Sequence, residues 1–298
     1  MNYKTLHIMK KTKLALIMGL SVGVFFTSCS SENEQIKEPD AILQYSDNPG
    51  LKPVPQEVVD AAAKLELNVD HIRYDNFYFP DGTSEVRLFL EEDVVMTEQE
   101  LFTLAKAKDD NQSGRQYSTN NLVSQGRNIS IIGYTGGGGY GLSSKEQTAL
   151  QWAVDNYNNL SGVSISFTLS FGTDYSNKDM VVYRNPNQSG SGGSAGFPSG
   201  GLPYKWVQIY GLSGYTTNVN EHVITHEIGH SVGFRHTDWF SRQSCGQNTN
   251  EGTAGVGANH VSGTPTGYDS TSVMLACFSS NEDGEFNGND ITALQNMY

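Results

Sequence analysis

The chain has 298 residues and a formal charge of −13 with no basic stripe, which excludes the electrostatic footprint of a nucleic-acid binder. Its 37% hydrophobic content is modest, but 10% aromatic residues argue against an unfolded chain, and the 32 glycines suit long surface loops. Together they fit a core domain with a smaller accessory unit and long polar loops.

In chain order, Lys10, Lys11 and Lys13 precede an apolar run from Leu14 to Phe26. That run is too short to span a bilayer and has the form of a signal-peptide core, so the protein is expected to be exported. It ends in Phe26-Thr27-Ser28-Cys29, similar to a bacterial lipobox, although Phe26 stands where Leu is preferred. Residues 1–29 are therefore expected to be a lipoprotein signal with Cys29 as the lipidated N-terminus; ordinary cleavage with Cys29 incidental is the alternative. A lipid chain would hold the protein at the outer membrane or cell surface without spanning it. Residues 30–49 are acidic and aperiodic, as a tether is. With Cys29 lipidated, Cys245 and Cys277 remain in an oxidising compartment. A disulfide is the economical reading; two buried thiols or a second metal site are the alternatives.

Residues 50–115 read as a small α/β unit. Pro55 opens a helix with Val58, Val59, Ala62 and Leu65 on one face; strands around Phe77–Phe79 and Val86–Leu90 flank the turn Pro80-Asp81-Gly82; and Thr97 with Glu100 forms a capping box for a second helix. The charged stretch 108–114 is a plausible boundary. In the domain 116–298, Ile129 and Ile131 mark a strand. Ser143 and Glu146 cap a helix with Ala149, Trp152, Ala153, Tyr157 and Leu160 on one face, and Gly162 stops it. Residues 163–171 alternate apolar and polar, which predicts a strand with one buried face, and Met180–Tyr183 and Trp206–Tyr210 predict two more. This order predicts a twisted sheet flanked by helices.

Residues 226–236 read HEIGHSVGFRH. His226 and His230 are one helical turn apart on one face, as two ligands of one metal must be. Glu227, a carboxylate that is not a ligand, is suited to general acid/base work on a water polarised by zinc. A catalytic zinc takes three protein ligands, and His236 is the third, brought back by a chain reversal at Gly233. Gly229 inside the helix suggests close approach of another backbone. One zinc per chain is expected. His222, one turn earlier, is read as a surface or capping histidine. His260 could touch substrate or serve structure. The oxygen-rich run Asp283–Asp290 suggests Ca2+, but its spacing fails the EF-hand pattern; Asn289 or Asp290 is read as the cap of a last helix.

The extended motif resembles that of the metzincin metallopeptidases, and Ser272-Val273-Met274-Leu275-Ala276-Cys277 is similar to their methionine turn, with Met274 as the floor of the site. HEIGHSVGFRHTD with SVMLAC, and the opening segment Arg115 to Ser124, look like the HEIGH-type dual-action metallopeptidases. The resemblance implies a metzincin-like α+β catalytic domain, a mixed sheet with helices, behind a small pro-like domain, and a zinc endopeptidase acting on protein or peptide substrates. It implies that Gly193 to Pro198, with Ala195 and Gly196 central, is an edge strand that pairs antiparallel with substrate; a flexible glycine-rich loop is the alternative. It also implies that a Cys245–Cys277 bridge ties the segment after His236 to the methionine turn, walling the pocket beyond the scissile bond. Ala276 stands where astacin-like members carry a ligand tyrosine, so three protein ligands are expected. The N-terminal unit has no cysteine for a cysteine switch; an aspartate could cover the metal, but the sequence does not single one out. A binding module or adhesin on the same scaffold, and a latent enzyme released by cleavage near 108–120, are the competing readings. Membrane contact is expected only through the lipid, and the protein is expected to be a monomer.

Overall fold

The computed structural model describes residues 52–65, 67, 69, 72–90, 93–107, 118–251 and 258–298. The signal segment, Cys29, the tether, the 108–114 linker and Arg115 to Tyr117 lie outside the described residues. Among the described residues no helix is long and apolar enough to cross a membrane.

The N-terminal layer begins with α1 (Gln56–Lys64), in which the Val58 and Val59 amides donate to the Pro55 carbonyl and Val58, Val59, Ala61 and Ala62 are buried. Strands β1 (Arg73–Tyr78) and β2 (Ser84–Leu90) form an antiparallel hairpin. Its turn is closed by Asp81, which accepts hydrogen bonds from the Thr83 amide and hydroxyl, and by Gly82 at φ 83°. β3 (Val94–Met96) pairs antiparallel with β2, and the Thr97–Glu100 capping box starts α2 (Glu98–Ala107). Val58, Leu65, Leu88, Leu90, Val94 and Leu101 make this layer's own core.

The second layer is a mixed five-stranded sheet. Its strands are β4 (Asn128–Tyr134), β5 (Ser166–Gly172), β6 (Met180–Arg184), β7 (Gly192–Ser194) and β8 (Trp206–Tyr210), in the order β5-β4-β6-β8-β7. All neighbours are parallel except the edge strand β7, which runs antiparallel to β8. Met180 to Tyr183 are buried without alternation, as in a parallel strand covered on both faces. The alternating stretch at β5 does not bury one whole face. β5 is the outer strand, so Leu169 is half-buried and Phe171 is 41% exposed.

α3 (Ser144–Asn158) starts at a Ser143–Glu146 capping box and packs on α4 (Thr217–Ser231). Its buried face is Ala149, Leu150, Ala153, Val154 and Tyr157, while Trp152 is 41% exposed, one helical position off the face expected. α5 (Gly288–Met297) is capped by Asn287 and not by Asn289 or Asp290. Asp290 is the third helical residue, and its carboxylate accepts from the Ser272 hydroxyl at 2.6 Å and the Val273 amide at 3.0 Å. The last helix is thereby fastened to the segment before Met274. The N-terminal layer docks on the sheet through Arg87, which donates to the Tyr204 hydroxyl at 2.6 Å, and through the Tyr78 carbonyl, which accepts from Tyr183 and Gln208.

Candidate metal centre and active site

Thr216 caps α4 by accepting from the Val219 amide, and the helix is buried on every face from Val219 to Ser231. An all-round buried helix presents His226, Glu227 and His230 inside the protein, held by packing and not by propensity. Val232 ends it. Gly233 adopts φ 111°, a region closed to most side chains, and a Cβ there would fall 2.8 Å from Leu122. The reversal lets Phe234 donate back to the Gly229 carbonyl and returns His236 to the site. Gly229 answers a different constraint from the one expected. A Cβ there would meet the Met274 sulfur at 2.5 Å, so the close neighbour is the methionine side chain and not a backbone.

The three imidazole Nε2 atoms converge. His230 and His236 Nε2 lie 3.2 Å apart, and the ring centroids are 4.6 to 5.2 Å apart. Each Nδ1 is turned outward to an acceptor: the Val273 carbonyl for His226 at 2.9 Å, the Phe234 carbonyl for His230 at 2.9 Å, and Glu251 for His236 at 3.0 Å. Those contacts orient each ring so that Nε2 faces the shared centre, and with a metal held there they would fix the tautomer that ligates through Nε2. Glu251 is in turn fixed by Arg242 at 2.8 Å. Burial, above all, lowers the His230 pKa to about 4, which keeps it neutral as a ligand must be.

A fourth group stands among them. The Oδ2 of Asp93 is 2.9 Å from His236 Nε2, 3.6 Å from His226 Nε2 and 3.9 Å from His230 Nε2. Burial alone would raise the Asp93 pKa, but the His236 charge and the hydrogen bonds of the three imidazoles outweigh it and keep the carboxylate ionised. The aspartate that the sequence did not single out is therefore Asp93, a carboxylate that the N-terminal layer places among the three histidines. Among the described residues, Asp93, His226, His230 and His236 are the one cluster of His, Cys, Asp or Glu placed to share an ion, their donor atoms all within 4.8 Å of one another. Three convergent imidazoles fit zinc. Zinc held there supplies polarisation of a substrate carbonyl and of an attacking water. The run Asp283–Asp290 contributes no such cluster.

Glu227 lines, together with Asp93 and His226, a cavity of about 370 Å3. Burial first, then the Asp93 charge, hold its carboxyl well above the usual range. A Cβ on Gly193 of β7 would fall 2.5 Å from Glu227 Cγ, so glycine lets the edge strand lie against the acid. Ala195, just past β7, is paired by backbone to the N-terminal layer. Its amide donates to the Asp93 carbonyl at 3.0 Å, and its carbonyl accepts from the Val95 amide at 2.8 Å. Gly196 lies against Tyr204 and the Val95 carbonyl.

Met274 is fully buried beneath the histidines, and Cys245 and Cys277 form a disulfide with Cα atoms 5.2 Å apart. Asp238 braces this corner by accepting from Ser244 and from the Ala276 amide. His260 is turned toward the Thr264 carbonyl at 2.9 Å and is not among the residues lining the cavity. His222 is neither a surface nor a capping residue: the helix is covered at that turn, and the ring lines the cavity beside Glu227. Asp93, Glu251 and His222 are the site residues that sequence reasoning missed or misplaced.

Fold and donor set together define a metallopeptidase site built on one long helix and its return. The sequence profile of the dual-action HEIGH metallo-peptidases matches residues 88–298, and the chain belongs to that family. Peptidase membership makes protein or peptide its substrate. Similar solved structures include myroilysin, at 12% identity and a TM-score of 0.39 over 60% of this chain and 82% of that one. Another is high choriolytic enzyme 1, a hatching-enzyme zinc protease from the medaka fish Oryzias latipes, at 15% identity and a TM-score of 0.36 over 62% and 98%. No curated protein sequence matches the chain.

Proposed function

We propose that this chain is a zinc endopeptidase of extracellular proteins, with His226, His230 and His236 as ligands and Glu227 as the general base. The observation that carries the reading is the convergence of three outward-braced imidazoles next to a buried carboxylate that is not one of them. Glu227 takes a proton from the attacking water and returns it to the leaving nitrogen, while Ala195 and Gly196 offer backbone groups to an extended substrate. Met274 floors the site. The apolar run after Lys10, Lys11 and Lys13, and Cys29 at its end, support export and a lipid anchor. Hydrolysis of casein by the proteolytically released chain and by its Glu227→Ala form tests the reading; equal rates would refute it.

The same chain is proposed to be made latent. Asp93 stands where a fourth ligand would, and the segment around Val94 bridges Ala195 in the parallel direction, opposite to the antiparallel direction expected of substrate. Both features block the cleft without presenting a bond for cleavage. Release requires cutting between the N-terminal layer and Ser118. The test is the casein rate before and after limited proteolysis in that stretch, and an unchanged rate would remove latency from the proposal.

A further inference from the structure

The cavity beside Glu227 is walled by Gly193 of β7, His222 and Val223 of α4, and Leu275 and Phe278 beyond the methionine turn. Ser191, Tyr210, Tyr215, Ser279 and Ser280 also border it, and His222 adds a buried imidazole. Its ring lies 6.1 Å from that of Phe278, and its Nε2 has no hydrogen-bond partner. An imidazole nitrogen shut from water and left unpaired costs free energy unless something entering the cavity pairs it.

The direction of the edge strand says what enters. A substrate antiparallel to residues 191–195 passes the metal-ligand cluster near Ala195, where Asp93 now lies, and its later residues run on past Gly193 toward Ser191. Those are the residues that border the cavity. The side chain received there is the one directly after the scissile bond.

We infer that His222 selects that side chain and favours tyrosine, whose ring fits between Val223, Leu275 and Phe278 while its hydroxyl pairs Nε2 once a small turn of the buried imidazole presents it to the cavity. The inference rests on the peptidase reading above. A phenol both donates and accepts, so it satisfies either tautomer of the histidine. Phenylalanine fills the same space but leaves the nitrogen unpaired, and a site built to bind a hydroxyl discriminates against the analogue that lacks it.

The test uses three peptides that differ only in carrying tyrosine, phenylalanine or lysine after the cleaved bond, assayed with zinc on the full-length native and Asp93→Ala chains. Tyrosine is expected to exceed phenylalanine by about 3- to 10-fold in kcat/KM, the equivalent of one hydrogen bond. His222→Leu should abolish or reverse that ratio while still cutting the phenylalanine peptide, and His222→Gln should keep part of it. Should His222→Leu prove inactive on all peptides, the native ratio and that of His222→Gln decide. The inference is overturned if native protein prefers phenylalanine or lysine, or if His222→Leu keeps the tyrosine preference. Failure of the proteolytically released chain to cut any peptide or casein would instead sink the peptidase reading beneath it.

Discussion

Asp93 Oδ2 lies 2.9 Å from His236 Nε2, so the residue that closes the histidine cluster comes from the N-terminal layer and not from the sheet that carries the cluster. Removing that carboxylate should open the site while leaving the covalent chain intact. A charge-assisted contact is worth about 1.5–3 kcal/mol, so Asp93→Ala should raise the initial casein rate of the full-length protein by about 10- to 150-fold. An unchanged rate in a zinc-loaded variant would show that Asp93 is not what restrains the enzyme.

Gly193 and Glu227 make a second test, because the glycine leaves room for the acid. Gly193→Ala places a methyl 2.5 Å from Glu227 Cγ and 2.6 Å from Oε1. Displacing a reacting group by about 1 Å can cost on the order of 100-fold. The expected result is a fall in kcat with zinc content unaltered, measured by peptide assay and metal analysis on the same sample.

The Cys245–Cys277 bridge closes a loop of sequence separation 32. By chain entropy such a bridge contributes about 3–4 kcal/mol. Replacing both cysteines with serine should lower the Tm, and a reducing agent should then lower the Tm of the native protein but not that of the variant.

Glu221 gives a pH signature. Burial first, then the charges of Glu285 and Asp283, opposed by the Asn156 hydrogen bond, raise its pKa to about 7. Because the folded value lies above the unfolded one, the fold favours the protonated acid. Its stability is complete below the ordinary glutamate range and is lost as pH rises through about 7. Glu221→Gln keeps an acceptor for Asn156 and cannot ionise. After allowance for solvent screening, it should raise the Tm by about 2–4 °C at pH 8 and leave it unchanged at pH 4. A gain of equal size at both values would contradict the assignment.

Much of the site was legible because its signals are local. His226, Glu227, His230, Gly233 and His236 lie within one helix and its return, and the Ser143–Glu146 and Thr97–Glu100 boxes each need only four residues. Asp93 was not legible. It follows Glu91 and Glu92, and nothing in spacing tells which of three adjacent carboxylates a tertiary approach will deliver to the metal site. Glu251 likewise reaches His236 across a loop with no periodicity. Trp152 was misassigned because its helix carries apolar residues on neighbouring faces, and only packing against α4 chooses between them. His222 shows the same limit: one turn from His226, it reads as surface until the covering residues Val223 and Phe278 are in place.

The central claim is that Glu227 is the proton carrier of a zinc peptidase. The most direct measurement is the casein rate of the proteolytically released protein and of its Glu227→Ala form, with zinc content determined for both. The account predicts equal zinc and a rate about 100- to 10,000-fold lower in the variant, the range for loss of a general acid/base, with the native rate abolished by a chelator and restored by zinc. A Glu227→Ala protein as active as the native one, or activity that survives the chelator, would contradict it.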